Sequence, residues 1–336
     1  MNNFIAQLQN HIVEPAAATS QSIFKVEFNQ KFLAALKYHQ LVPLVQEWAP
    51  TPQLRNWQLA NLRRVQNQQT TRQYLTQFFT RNEIEFRWLK GHSLTAKLYA
   101  TSTSRYAGDL DVLLKSRAAV IHAALALLAE GWRFNASKNT TLEKSLQQHL
   151  KLHKDFPLSH PQHGTLELHY RVTATDTPLS TAYETWLWQE NSQEFSAEEF
   201  LYLCYHGATT AYHRLKWLYD IHLYITRWVT SSNLNALIRK AEKLDCTRPL
   251  LLSSLLAHQI FNTPVPTQIL QRVNDSKALQ FAAKRVVKNA NKCSGRNPST
   301  LYRLERRLFW YFAHECAKHR KDISRHLFTL AIQRFK

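Results

Sequence analysis

Apolar residues recur every three or four positions through residues 29–48 and 53–79, as in Phe32, Leu36, Leu41 and Leu44, and that period predicts amphipathic helices. Pro50 and Pro52 separate the two stretches, since proline opens or ends a helix. From residue 83 the pattern changes. Residues 84–89 alternate in places and run into Lys90-Gly91, which reads as a strand and a turn. Residues 93–100 follow as a short helix with Ser93 near its N-cap, and 110–114 as a second strand. A helix is expected over 116–130, stopped by Gly131. Two further strands are expected at 150–158 and 166–172, joined through the turn-rich residues 159–164. From residue 197 the helical period returns and persists, punctuated by Pro264, Pro266, Gly295 and Pro298.

Six glycines occur in 336 residues, and Gly91, Gly108, Gly131 and Gly164 fall in the central stretch. Glycine marks unusual backbone angles or close approach, so the special geometry is concentrated there. The order strand, helix, strand, helix, strands predicts an α+β fold: a small mixed β-sheet core flanked by N-terminal and C-terminal helical regions. The expected divisions are residues 1–82, 83–175 and 176–336.

Charge adds a partner class. Lys and Arg total 43 against 24 Asp and Glu, a formal net charge of +19, which attracts polyanions such as nucleic acid. Residues 284–336 carry 14 Lys and Arg against three acids. There Tyr302, Phe309, Trp310, Tyr311 and Phe312 interleave with Arg303, Arg306 and Arg307, a pattern that suits RNA binding or an aromatic core face with a solvated basic side. The four cysteines are widely spaced with no CxxC pair, as expected of reduced thiols. The N-terminus lacks signal-peptide character and the most apolar run is too short to span a bilayer, so a cytoplasmic location is expected.

The sharpest chemical signal is Gly108-Asp109-Leu110-Asp111-Val112. On a strand, residues two apart share a face, so Asp109 and Asp111 would present neighbouring carboxylates, which repel unless a cation neutralises them. Oxygen ligands of this kind suit Mg²⁺. In Leu166-Glu167-Leu168-His169-Tyr170, Glu167 and His169 share the polar face. A strand neighbouring that of Asp111 would make Glu167 a third acid of a site able to hold two metal ions about 3.5–4 Å apart; a cross-strand salt bridge is the other reading of Glu167. The Lys90-Gly91-His92-Ser93 turn opens a helix, where free N–H groups attract anions, with Lys90 and Arg105 as further charge. His149, His153, His160 and His163 match no HExxH spacing and are read as strand and loop surface rather than a zinc site. His206, His213, Lys216 and Asp220 fall near one helix stripe, either as an ordinary helix face or as a cleft wall.

Together, Leu89-Lys90-Gly91, Arg105, Asp109-Leu110-Asp111, Leu166-Glu167-Leu168-His169 and the run from His213 to Asp220 resemble the polymerase-β-like nucleotidyltransferase superfamily. More narrowly, they resemble bacterial uncharacterised nucleotidyltransferases of the NTP-transferase-5 type, over roughly residues 84–225. The resemblance implies transfer of a nucleoside monophosphate from a nucleoside triphosphate to an acceptor hydroxyl, with pyrophosphate released. The acceptor would be RNA such as tRNA, a protein or a small molecule. It implies Mg²⁺ or Mn²⁺ on Asp109, Asp111 and Glu167, the triphosphate on Lys90, Gly91, His92 and Ser93, and a nucleotide lined by Arg105, His213, Lys216 and Asp220. The family's paired small residues stand here as Gly91-His92-Ser93, a departure at the triphosphate grip. The alternative is a non-catalytic basic protein that keeps the fold and binds nucleic acid or a partner.

Overall fold

The three- and four-residue apolar spacing does build helices. A computed structural model describes residues 4–12, 28–48, 51–106, 108–134, 142–189, 194–292 and 300–333. It divides into two units: Met1–Asn61 with Thr103–Tyr106 and Phe195–Ile323, and Leu62–Ser102 with Ala107–Glu194 and Ser324–Lys336. Among the described residues no helix is long and apolar enough to cross a membrane.

The first unit is helical. It contains α1 (Phe4–Ile12), α2 (Gln30–His39), α3 (Val42–Trp48) and the start of α4 (Pro52–Arg81). Later come α9 (Ala197–Thr209), α10 (Leu215–Trp228), α11 (Ser231–Lys243), α12 (Thr247–Phe261), α13 (Thr267–Asn274), α14 (Lys277–Lys292), α15 (Thr300–Phe312) and the start of α16 (Ala317–Gln333). Helix α12 is the axis of this unit, packing on α9, α10, α13 and α14. Its Leu250, Leu252, Leu256 and Ile260 are buried, as a helix apolar on nearly all sides must be. Gly207 in α9 permits a close approach, because a Cβ there would lie 2.2 Å from the buried Tyr212 ring.

The second unit carries the sheet. Its elements are the rest of α4, β1 (Phe86–Leu89), α5 (Gly91–Leu98), β2 (Leu110–Leu114), α6 (Arg117–Ala129), α7 (Leu142–Leu152), β3 (Asp155–His160), β4 (Gly164–His169) and α8 (Pro178–Leu187). The strand order is β1-β2-β4-β3, with β2 and β4 parallel and the outer pairings antiparallel. Leu110, Val112, Leu166, Leu168, Phe156 and Leu158 form one core with Leu75 and Phe79 of α4, Val120 and Leu127 of α6 and Leu146 of α7. Alternation along each strand leaves Asp111, Glu167 and His169 off that core face.

Two boundaries differ from the sequence expectation. Residues 150–152 end α7 rather than open a strand, because Leu146 and Leu150 continue one buried helical stripe, and β3 starts at Asp155. The β3–β4 hairpin is tighter than expected: His160 pairs with Gly164, and Gly164 supplies the positive φ of 79° that closes the turn. Strand β4 ends at His169.

Candidate functional site

Strand register brings the acids together. Asp111 of β2 lies opposite Glu167 of the parallel β4, and opposite Leu89 of the antiparallel β1. The chain therefore leaves β1 beside Asp111 and enters the Lys90-Gly91 turn. His169, two residues beyond Glu167, pairs in register with Leu113 and Asp155 and leans diagonally towards the carboxylates. Its Nε2 lies 3.2 Å from Asp111 Oδ1 and 3.4 Å from Glu167 Oε2. Its Nδ1 lies 3.3 Å from Lys154 Nζ, and Lys154 also pairs with Asp155 at 3.4 Å. Asp111, Glu167 and His169 thus bring three potential ligand atoms within 4.8 Å of one another. Asp109 stands just before β2 and is exposed; the strand begins one residue after it.

The electrostatics separate the two carboxyls. Burial opposes charge on Asp111, but the hydrogen bond and charge of His169, with Lys90 and Lys154, hold it well below the usual carboxylate range. At Glu167 the His169 hydrogen bond favours the ionised form, and burial with the negative charge of Asp111 and Asp155 outweighs it, so this carboxyl is raised. Burial and Lys154 disfavour a charged His169 ring; the bonds to Asp111 and Glu167 overcome both and raise it. Two paired acids of this sort, one of them 31% exposed in its side chain, are oxygen donors that fit a hard divalent ion.

The turn after β1 is unusual. Lys90 has φ 46° and Gly91 φ 50°, and the N-cap of α5 is Lys90 without a side-chain bond, rather than Ser93, which sits third in the helix. The positive φ demands glycine at 91, while a Cβ there would meet nothing within 4 Å, so the space beside it is open. His92 and Ser93 line a cleft of ≈ 800 Å³ whose opposite wall is the face of α4 bearing Gln69, Arg72, Gln73 and Thr76. Arg72 stacks its guanidinium over Trp88 at 4.9 Å, and burial lowers its pKa. Arg72, Lys154 and Asp155 were not among the residues singled out from sequence. The 69, 72, 73, 76 spacing of polar residues along one face of α4 is the signal that would have found the cleft wall.

The remaining expected residues belong to the first unit. Arg105 donates from Nε and Nη2 to both oxygens of Asp220 at 2.8 Å, a buried bidentate pair. Lys216 donates to the Tyr106 carbonyl at 3.1 Å. His213 packs edge-on against Trp217, and burial, with Arg306 nearby, lowers its pKa to about 3. The four clustered histidines form ring stacks: His149 on His153 at 4.3 Å and His163 on Tyr74 at 4.6 Å. Among the described residues none of those four falls in a possible metal-holding group.

A family profile described as uncharacterised nucleotidyltransferase matches residues 29–262, a span that includes α2 to α4 as well as the sheet. Neither the curated proteins nor the solved structures give a significant match. The acid pair on adjacent parallel strands and the glycine turn beside it lie inside the matched span, and the chain belongs to this family of uncharacterised nucleotidyltransferases.

Proposed function

We propose that the second unit transfers a nucleoside monophosphate from a nucleoside triphosphate to an acceptor hydroxyl. The observation that carries this reading is the register that sets Asp111 between Glu167 on one side and, on the other, Leu89 at the start of the Lys90-Gly91 turn. Asp111 and Glu167, with Asp109 entering from the edge of β2, would hold Mg²⁺ or Mn²⁺. Such an ion, when bound, neutralises phosphate charge and acidifies an attacking hydroxyl. The backbone N–H groups at the start of α5 bind the triphosphate with Lys90, His92 and Ser93, and the missing Cβ of Gly91 leaves room for it. Glu167, held towards its protonated form in the free protein, accepts the acceptor's proton in the nucleotide complex. The acceptor oxygen forms a bond to the α-phosphorus, the bond from that phosphorus to the bridging oxygen breaks, and pyrophosphate leaves with the electron pair. His169 is a positioning residue that orients both carboxylates through Nε2.

The net charge of residues 284–336 favours RNA among the acceptors. The test is incubation of the protein with each labelled nucleoside triphosphate, Mg²⁺, and total cellular RNA or protein. Label should pass to one fraction with wild type and be lost with Asp111→Asn or Glu167→Gln; label transferred equally by those variants refutes the reading. The same basic region supports a second reading, a non-catalytic binder. It requires steeply salt-dependent RNA binding that is indifferent to Asp111, Glu167 and metal.

A further inference from the structure

A second ligand set lies in the first unit. Asp245, in the turn between α11 and α12, meets His314 and His319 from the α15–α16 turn and the first part of α16. One ligand atom from each falls within 4.8 Å of the others. Asp245 Oδ2 is 3.1 Å from His314 Nδ1 and 2.6 Å from His319 Nδ1. The two histidines lie beyond the span matched by the family profile.

We propose that Asp245, His314 and His319 form a Zn²⁺ site that pins the α15–α16 turn to the α11–α12 turn. The ligand types are those of zinc, two imidazole nitrogens and a carboxylate oxygen with bonds near 2.0–2.2 Å. A tetrahedral ion at such bond lengths sets its ligand atoms about 3.3 Å apart; the His314 nitrogen stands near that spacing from Oδ2, at 3.1 Å, and the His319 nitrogen, at 2.6 Å, would move outward as the ion enters. Two of the three ligands are also fixed from behind, as metal ligands are. Asp245 Oδ1 accepts the backbone N–H groups of Glu315 and Cys316 at 2.9 and 3.0 Å, leaving Oδ2 directed at the rings. His314 Nε2 meets Tyr205 Oη at 3.1 Å. With the ion on Nδ1, the His314 proton resides on Nε2 and is donated to Tyr205. Side-chain exposures of 1% for His314, 11% for His319 and 10% for Asp245 enclose the three ligand positions. Asp245 adopts φ 54°, the left-handed region that aspartate tolerates better than most residues.

The experiment uses the full chain carrying Asp111→Asn and Glu167→Gln, so that the sheet acids do not contribute. After chelation and dialysis, Zn²⁺ is added and bound metal is counted; Co²⁺ is added to a parallel sample. One Zn²⁺ per chain, tetrahedral Co²⁺ absorption and a Zn²⁺-dependent rise in Tm are expected. Adding His319→Ala should weaken Zn²⁺ binding by about 100-fold and abolish the rise in Tm. Because Asp245→Asn removes turn hydrogen bonds and can unfold the region, His314→Gln is the second variant. Absence of stoichiometric Zn²⁺, or equal binding by the His319→Ala and His314→Gln proteins, overturns the site and leaves a hydrogen-bonded clamp.

Discussion

Replacing Asp220 by Ala leaves the Arg105 guanidinium in a place with almost no water. The two side chains are 5% and 1% exposed, and both guanidinium bonds to the carboxylate measure 2.8 Å. Removing one partner of such a buried pair costs about 3–5 kcal/mol, because the remaining charge is left uncompensated. Lys216, itself only 9% exposed and bonded to the Tyr106 carbonyl, lies four residues before Asp220 on α10 and adds a second cation to the same region. Replacing both partners by apolar residues of similar volume, Arg105→Met with Asp220→Leu, removes the desolvated charges together and should fall within about 1 kcal/mol of wild type. Urea unfolding followed by tryptophan fluorescence on wild type, Arg105→Met, Asp220→Leu and the double variant gives the coupling directly; with each single variant costing about 3–5 kcal/mol and the double about 1 or less, a coupling of at least about 5 kcal/mol is expected. Asp220→Ala within about 1 kcal/mol of wild type would refute the reasoning. So would an Arg105→Met protein of unchanged stability that has lost nucleoside triphosphate binding, because Arg105 would then be a ligand-binding group and not half of a structural pair.

Glu167→Gln should lower nucleotide transfer by about 10²–10⁴-fold, the usual worth of a general base, while leaving the urea midpoint nearly unchanged; single-turnover label transfer measures it. Gly207→Ala should destabilise by about 1–3 kcal/mol, since the new Cβ falls 2.2 Å from the Tyr212 ring; a Tm equal to wild type would show that α9 shifts freely. Acid should weaken the first unit through His39, which burial chiefly holds down to about 4. The unfolded chain takes up its proton near pH 6.5 and the folded one near 4, so stability is full above pH 6.5 and falls between 6.5 and 4, by about 2 kcal/mol at pH 5. Urea midpoints of wild type and His39→Gln at pH 7 and pH 5 check this, and an equal pH dependence in both proteins counts against it.

The strand-borne half of the candidate site was legible because alternation is local. Leu110, Val112, Leu166 and Leu168 declare the core face within a few residues, and Asp111, Glu167 and His169 are what is left. That the strand of Glu167 neighbours the strand of Asp111 was an expectation; the register pairs them and makes the pairing parallel. Two kinds of feature were not legible. Residues 150–153, Leu-Lys-Leu-His, satisfy both a period of two and the end of a helical stripe; the competition was decided by Leu146 and Leu150 packing against the sheet. Long-range polar partners carry no local signature: Arg105 finds Asp220 across 115 residues, and Asp245 finds His314 and His319 across 69 and 74.

A carboxylate site that already contains a protein cation is closed to metal, so the placement of His169 decides whether the sheet can work as an enzyme centre. Its Nε2 engages Oδ1 of Asp111 and Oε2 of Glu167, one oxygen of each carboxylate. Of the two lysines whose charge acts on Asp111, Lys154 is held on the far side of the ring, bonded to Nδ1 and to Asp155. Nε2 carries a proton whether the ring is neutral or charged, because Nδ1 faces an ammonium in the neutral form. The imidazole therefore acts as a bracket that fixes the two acids side by side, with Glu167 still 31% exposed. What raises its pKa is hydrogen bonding to Asp111 and Glu167, with the negative charge of Asp111, and a divalent ion satisfies that charge more strongly than a ring proton does. In the proposed reading, metal charge replaces ring charge at an acid pair that the β2–β4 register already sets side by side.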